Sequence, residues 1–375
     1  MNQNNLYTKN WYLKFFDGFF LTFVFLFIVT GWANFLPEKS ADLYLKYFQL
    51  SNQFLIIIPA MAGVLYVLVS NKREKSGAFN SEKTHAIIWG LIRFWLAACI
   101  AVYGFGKILG TQFTTPAINV RDTLAGDLTG GKLTWFYFEY SPVFTSIIGW
   151  LQIGGSLLLL FRRTTLLGIF ILLPVMLNIV LINLFYGVHP GATRNSIVYT
   201  GGLTYLLLLH AKKLINLFFK TNSTLPKIGS VVFKNVLRIV VVVYAFMSIY
   251  QYLISEEFKP GDPEILGKWK VDQMIINGKE KLSNAWQTDS SSWASIYFND
   301  AKYCVIGSNP YYFDQAKAIW GEYKFDKPKH LLDISFYNLP DTLHVSIDSA
   351  SSNKMLLNGK LGKDTVRLRL NRVKI

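Results

Sequence analysis

The sequence is poor in the residues that build most catalytic and metal centres. It has only two cysteines in 375 residues, Cys99 and Cys304, and no C-x-x-C pair. A thiol–disulfide exchange enzyme is therefore not expected. Cys99 lies in an apolar run and Cys304 in a polar, strand-like one, so both read as packing residues rather than a disulfide. Histidine is scarce as well. His85, His189 and His210 fall at the ends of apolar runs, and His330 and His344 lie in the C-terminal region. A b-type haem needs histidines deep in facing helices, so no haem is expected. No cluster has metal-ligand spacing, and no metal is expected. "GKILG", "TGGKLT" and "LNGKLGK" carry Gly and Lys without P-loop spacing, and no G-x-S-x-G elbow occurs.

Charge is also sparse and one-sided. Only 16% of residues are charged, with 38 basic against 23 acidic, for a formal net charge of +15. The basic residues are scattered between apolar runs and belong to no nucleic-acid-binding motif, so no nucleic-acid partner is expected. What the chain has in excess is apolar surface: 51% hydrophobic residues and a mean hydropathy of +0.28. That balance excludes an ordinary soluble protein and points to a bilayer.

A membrane-spanning helix needs about 20 mostly apolar residues. Seven segments qualify as expected spans: 16–36, 53–70, 86–109, 142–161, 165–187, 195–211 and 232–254. The first lacks a convincing small-residue cleavage site after it and reads as an uncleaved anchor. The cations concentrate in alternate connections: Lys9 and Lys14; Lys72, Arg73, Lys75 and Lys83; Arg162 and Arg163; then Lys212, Lys213, Lys220, Lys227 and Lys234. The other connections hold Lys39, Lys46, Arg121, Lys132 and Arg194. The positive-inside rule then places the N-terminus in the cytoplasm and everything after the seventh span outside, in the periplasm of a bacterial inner membrane.

Beyond residue 254 the composition changes. Residues 255–264 form a polar, proline-bearing linker. From 265 to 375, eight short alternating runs such as "GKWKVDQMII", "LLDISFY" and "TVRLRLN" are separated by turn signals such as "NGKE" and "DKPKH". This pattern predicts a small antiparallel β-barrel or sandwich, apolar inward and polar outward. The expected architecture is thus a polytopic α-helical membrane bundle, residues 1–254, followed by an extracytoplasmic β-barrel, residues 265–375.

"RFWLAACIAVYGFGKI" places two cations, Arg93 and Lys107, fourteen residues apart in an apolar helix. That is close to four turns, so both lie on nearly the same face. Snorkelling to headgroups is one reading; pairing is another, Arg93 with Asp17 and Lys107 with Glu139. Gly90, Ala97, Ala98, Gly104, Gly106 and Gly110 let neighbours approach closely and put this helix at the centre of the bundle. Gln152, Asn178 and Asn183 lie within later spans, where interhelical hydrogen bonding and ligand binding both remain open. Pro174 should kink its helix beside Asn178. "YGVHPGATRNS" and the aromatic-rich loop 119–142 suit either a site or an interfacial aromatic belt.

These motifs, with "IIGWLQIGGSLLLLFRRTTLLGIFILLPVMLNI", resemble the DoxX-like membrane family over about residues 86–211. The resemblance implies a four-helix unit, with the first, second and seventh spans as additions. Some members are linked to thiosulfate:quinone oxidoreductase. Family members commonly have an acidic residue ahead of the Gly pair; here Gln152 stands there. The C-terminal region resembles lipocalin-like barrels, with a G-x-W at Gly267–Trp269 opening the first strand. Such a barrel would hold a small apolar ligand or be filled by its own side chains. Two functions follow as expectations. One is an envelope protein acting as a platform for a lipid or protein partner. The other is a membrane oxidoreductase component with a quinone between the third and sixth spans. The candidate ligand-binding residues are Arg93, Lys107, Glu139, Gln152, Asn178, His189 and Arg194.

Overall fold

A computed structural model describes residues 10–33, 56–76, 81–220, 230–254, 261–281, 293–337, 339–351 and 353–373. The chain divides into two compact units, Met1–Thr224 and Leu225–Ile375.

The first unit is helical. Its main helices are α1 (Trp11–Ala33), α2 (Ile57–Lys75), α3 (Ser81–Ile108), α4 (Gly130–Tyr140), α5 (Pro142–Leu160), α6 (Thr165–Phe185) and α7 (Pro190–Leu208). Helices α3, α5, α6 and α7 pack in sequence, and α7 closes back on α3, while α1 packs on both α2 and α3. The shared core runs through Ile92, Leu96 and Ile100 of α3, Leu159 of α5, Leu172 of α6 and Leu203 and Leu206 of α7. Helix α3 is central, as its small residues predict, and one pair of them explains why. A Cβ on Gly104 would meet Ile153 Cγ1 at 2.8 Å and the Gly149 carbonyl oxygen at 2.9 Å; one on Gly149 would meet the Gly104 carbonyl oxygen at 2.9 Å. At this crossing the two backbones touch, which only glycine permits. Gly90 and Gly110, by contrast, face open space.

The second unit begins with helix α8 (Val231–Leu253). Its large apolar side chains are exposed, including Val231, Val236, Ile239, Tyr244 and Ile249.

Five of the helices, α1, α3, α5, α6 and α8, are long and apolar enough to cross a membrane. Helix α7 and the following segment Ala211–Lys220 qualify only together, across a 66° bend. The expected span at 53–70 falls short among the described residues. Helix α2 is apolar only from Ile57 to Val69 before "SNKREK" begins. Thirteen residues of helix rise about 20 Å, against the ~30 Å of a bilayer core. Residues 34–36 and 53–55 of the expected first and second spans lie outside the described residues.

The C-terminal region is a closed, eight-stranded, all-antiparallel barrel. Its strands are β1 (Gly267–Ile276), β3 (Ser295–Phe298), β4 (Tyr303–Gly307), β5 (Ile319–Asp326), β6 (Leu331–Phe336), β7 (Thr342–Ser351), β8 (Lys354–Leu361) and β9 (Asp364–Val373). Each pairs with its successor, and β9 pairs with β1 to close the ring. A ninth strand, β2 (Lys279–Lys281), adds to the end of β1 through a two-residue turn. Asn277 and Gly278 both have positive φ there, 50° and 76°, as a type I′ hairpin turn requires. The short charged β2 carries no alternation and is invisible to a period-two reading.

Alternation fixes the register. Trp269 and Val271 on β1 and Val366, Leu368 and Leu370 on β9 point inward. Bulges at Asp272 on β1 and Asp348 on β7 absorb one residue each, so Met274 still faces the core. Each bulged aspartate accepts a hydrogen bond from an asparagine of a neighbouring strand, Asn371 and Asn358 respectively. The G-x-W tryptophan anchors one end: Trp269 Nε1 donates to the Ile265 carbonyl oxygen at 2.7 Å. Arg372 lies 4.6 Å over its ring and donates to the Pro263 and Glu264 carbonyls. Trp269, Phe298, Tyr323, Leu332, Leu357 and Leu368 fill the interior, so of the two expectations the packed barrel holds. Cys304 is part of this core, and its burial pushes the thiol up to about 12.

Two measurements check this fold. Gly149→Leu should destabilise the helical unit by about 1–3 kcal/mol through overpacking, whereas Gly154→Ala, into open space, should leave denaturant midpoints in detergent unchanged. In a Cys99→Ala background, Cys304 should react with a maleimide at pH 8 only after unfolding; rapid labelling of the native protein would contradict the packed barrel.

Candidate ligand cavity

The helical unit holds a cavity of about 400 Å³ between α3, α4, α5, α6 and α7. It forms at the C-terminal end of α3, where each neighbour contributes one face. Tyr103 and Lys107 come from α3, Gln152 from α5, Asn178 and Asn183 from α6, and Ser196 and Tyr199 from α7. Phe113, Trp135 and Phe138 form an aromatic wall.

The wall is built by a sharp turn. After α3 the backbone N–H groups of Thr111 and Gln112 donate to the Gly106 carbonyl, and Gly110 and Phe113 take positive φ of 67° and 59°. A positive φ on phenylalanine costs on the order of 1–3 kcal/mol. The turn returns Phe113 to stack on Phe138 at 4.4 Å, and sets its ring 5.7 Å from Lys107 Nζ. Strain of this kind persists where surrounding contacts over-determine it, often at a binding site.

Lys107 is buried, 6% exposed. Its ammonium donates to Gln112 Oε1 at 3.0 Å and to the Tyr103 carbonyl at 3.4 Å. Among the described residues it has no carboxylate partner. An ammonium has three donors, so one remains for a ligand. Gln152, 1% exposed, offers its amide to the Met176 sulfur at 3.8 Å, while its Oε1 is buried without a hydrogen bond. Pro174 lacks the N–H that would bond residue 170 and sits one turn before Asn178. Pro174 and Asn178 are both exposed and both line the cavity, so its mouth lies along this part of α6. Asn183 instead follows the interhelical reading: its amide donates to Ser196 Oγ at 3.0 Å and the Ala192 carbonyl at 3.2 Å.

Four of the seven residues expected from sequence therefore converge: Lys107, Gln152, Asn178 and His189. His189 also caps α7, its Nδ1 accepting from the Gly191 N–H at 3.1 Å. Three do not join them. Glu139 turns away from Lys107 and accepts from Arg121 at 3.5 Å and Thr115 at 3.4 Å. Arg194, half-buried, does not line the cavity. Arg93 lies about 21 Å along α3 from Lys107 and donates to Thr165 Oγ1 at 3.0 Å.

The expected pairing of Arg93 with Asp17 is replaced by a different network. Asp17, fully buried, meets His85 Nδ1 through one oxygen. Its other oxygen accepts from Tyr205 at 2.6 Å and Trp89 Nε1 at 2.9 Å. Nearby, Lys14 is 1% exposed and pairs with Glu74 at 2.6 Å and Asn71 at 2.8 Å. Lys14 is thus an internal anchor of α1 on α2 rather than a flanking loop charge. Sequence reading places His85 only at a helix end and does not single out Tyr205. Each becomes legible as a partner once α1, α3 and α7 are known to share one end. Tyr103, Ser196 and Tyr199 were likewise missed, because a tyrosine or serine on an otherwise apolar helix carries no periodic signal of its own.

The fold and cavity define a two-part protein: a helical unit rich in candidate spans, enclosing a mostly apolar, polar-tipped cavity, and a packed antiparallel barrel. The chain is 34% identical over 128 residues to the uncharacterised protein YwoB of Bacillus subtilis (strain 168), a stretch covering 34% of this chain and 79% of YwoB. It belongs to the YwoB family. No protein-family profile and no solved structure matches the chain.

Asp17→Leu leaves His85, Trp89 and Tyr205 without their shared acceptor. It should cost at least about 2 kcal/mol in urea unfolding of the detergent-solubilised protein, with Asp17→Asn milder because one acceptor oxygen survives. Equal stability of Asp17→Leu and the parent would contradict the network.

Proposed function

We propose that this chain is an integral membrane protein that binds an amphiphilic ligand, a lipid or lipid-soluble quinone, in the Lys107 cavity, and carries its barrel as a platform for an envelope partner. One observation carries the reading. Lys107, Gln152 and Asn178 surround a cavity instead of pairing with one another. A volume of about 400 Å³ falls in the range of small-molecule sites, which are mostly apolar with a few placed polar groups. Lys107 and the Asn178 amide offer donors, and Gln152 Oε1 offers an acceptor. A headgroup or carbonyl would sit among these with its apolar part against Phe113, Trp135 and Phe138.

The DoxX-like resemblance is kept as part of this proposal, supported by the ring that α3, α5, α6 and α7 make among themselves. Seven crossings are kept too. The start of α1, the end of α2, the start of α3 and the end of α7 meet at one end, through Lys14–Glu74 and Asp17–His85–Tyr205. Helix α2 therefore runs back between α1 and α3 despite its short apolar part. With α8 as the seventh span, the positive-inside rule puts the N-terminus in the cytoplasm and the lipocalin-like barrel in the periplasm.

A second reading, a quinone-linked oxidoreductase component, is favoured by the aromatic wall facing both donor and acceptor groups. A quinone carbonyl needs a donor, and the corresponding hydroxyl of the quinol needs an acceptor; the cavity offers both.

Native mass spectrometry on protein extracted gently from its own membrane, with lipids and quinones identified in the same sample, tests both readings. The expected outcome is one bound amphiphile per chain, lost from Lys107→Met and Gln152→Leu; a quinone would select the second reading. Retention of only bulk phospholipid, unchanged in both variants, would sink the cavity as a ligand site.

A further inference from the structure

At the opposite end of α3 from Lys107 the unit has a second cleft, of about 280 Å³. Three cations line it: Arg93 on α3, Arg162 in the connection between α5 and α6, and Lys213 beyond α7. Thr165 and His210 also line it, and no acidic residue does. Like charges gathered on one cleft repel unless an anion lies between them. Arg93 is 8% exposed; its Nη1 donates to Thr165 Oγ1 and its guanidinium lies 5.6 Å over the Phe94 ring. Its Nε is buried without a hydrogen-bond partner. A buried guanidinium with a free donor and no carboxylate is costly unless something anionic completes it. Leu206 and Leu209 supply an apolar flank.

We propose that this cleft binds a phosphate group carrying net negative charge, with Arg93 as the fixed donor and Arg162 and Lys213 closing over the remaining oxygens. A guanidinium matches phosphate geometry, whereas Arg162 and Lys213, both exposed, supply charge. Two sources share this chemistry, the headgroup of an anionic phospholipid and a soluble phosphate. The leucine flank and the place of the cleft at the end of a bundle of apolar helices fit the lipid. The site is separate from the Lys107 cavity, so either can fail alone.

The test uses purified full-length protein, delipidated in detergent. Phosphatidylglycerol and phosphatidylcholine are titrated by native mass spectrometry, and inorganic phosphate by calorimetry. Phosphatidylglycerol should bind more tightly than phosphatidylcholine. Arg162→Gln and Lys213→Gln should each weaken it about fivefold, and Arg93→Gln on the order of tenfold or more. Saturable phosphate binding that competes with phosphatidylglycerol would identify a soluble ligand; phosphatidylglycerol binding alone would identify the lipid. Equal affinity for the two lipids without phosphate binding would overturn the proposal. So would full affinity in the Arg162→Gln/Lys213→Gln double variant, whose exposed positions leave the packing intact.

Discussion

The helical unit depends on how one helix carries two cations into an apolar interior. Arg93 and Lys107 are both more than nine-tenths buried on α3, and neither has a carboxylate to neutralise it among the described residues. Burying an uncompensated charge costs several kcal/mol, so the surrounding helices must supply dipoles, water access or a ligand. The two ends solve this differently. Around Lys107 the chain turns back on itself, and Gln112, the Tyr103 carbonyl and the Phe113 ring face the ammonium. Around Arg93 one hydroxyl and the Phe94 ring approach, and the other ionic groups lining the cleft are cations. The first charge is largely met by the protein, and the second is left open.

The acidic residues explain why. Asp17, Glu74 and Glu139 are all engaged elsewhere, with His85, Lys14 and Arg121. The Asp17 and Glu74 contacts tie α1 and α2 to α3 and α7 at one end, where α1 and α2 have fewer neighbours than the central helices. The carboxylates thus act as clasps for the two peripheral helices and are unavailable to the α3 cations. The apolar part of α2 is too short to qualify as a span by itself. The Lys14–Glu74 pair and the Gly18 and Gly63 approaches to it, with a Cβ on Gly63 only 2.7 Å from the Phe15 carbonyl, hold it by close packing instead.

The barrel was almost wholly legible from sequence and the cavity only partly. All eight closing strands coincide with the short apolar-rich runs; most alternate because one face is buried and its neighbour points out, whereas β3 and β4 are buried along nearly their whole length. Trp269, Val271, Leu368 and Leu370 obey this rule one residue at a time. Helix partner choice has no such rule. Periodicity puts Arg93 and Lys107 on one face, but which helix meets that face depends on the packing order, and α3 packs against α1, α5 and α7. Both expected ion pairs failed for this reason: Asp17 and Glu139 have the right depth but face other neighbours. Lys107, Gln152 and Asn178 were read correctly as polar groups at depth, and only their convergence needed the fold.

Glycine placement connects these observations. Gly104 and Gly149 bring α3 and α5 into backbone contact one helical turn from Lys107. Beside that contact, α3, α5, α6 and α7 leave a space between them. The space between is the Lys107 cavity, and Pro174, which cannot continue the hydrogen-bond ladder of α6, sits on its border. A glycine contact within one helix pair and a proline on another helix are thus two parts of one arrangement. It opens a polar-tipped space beside the buried lysine, where a neighbour of ordinary shape would have closed it.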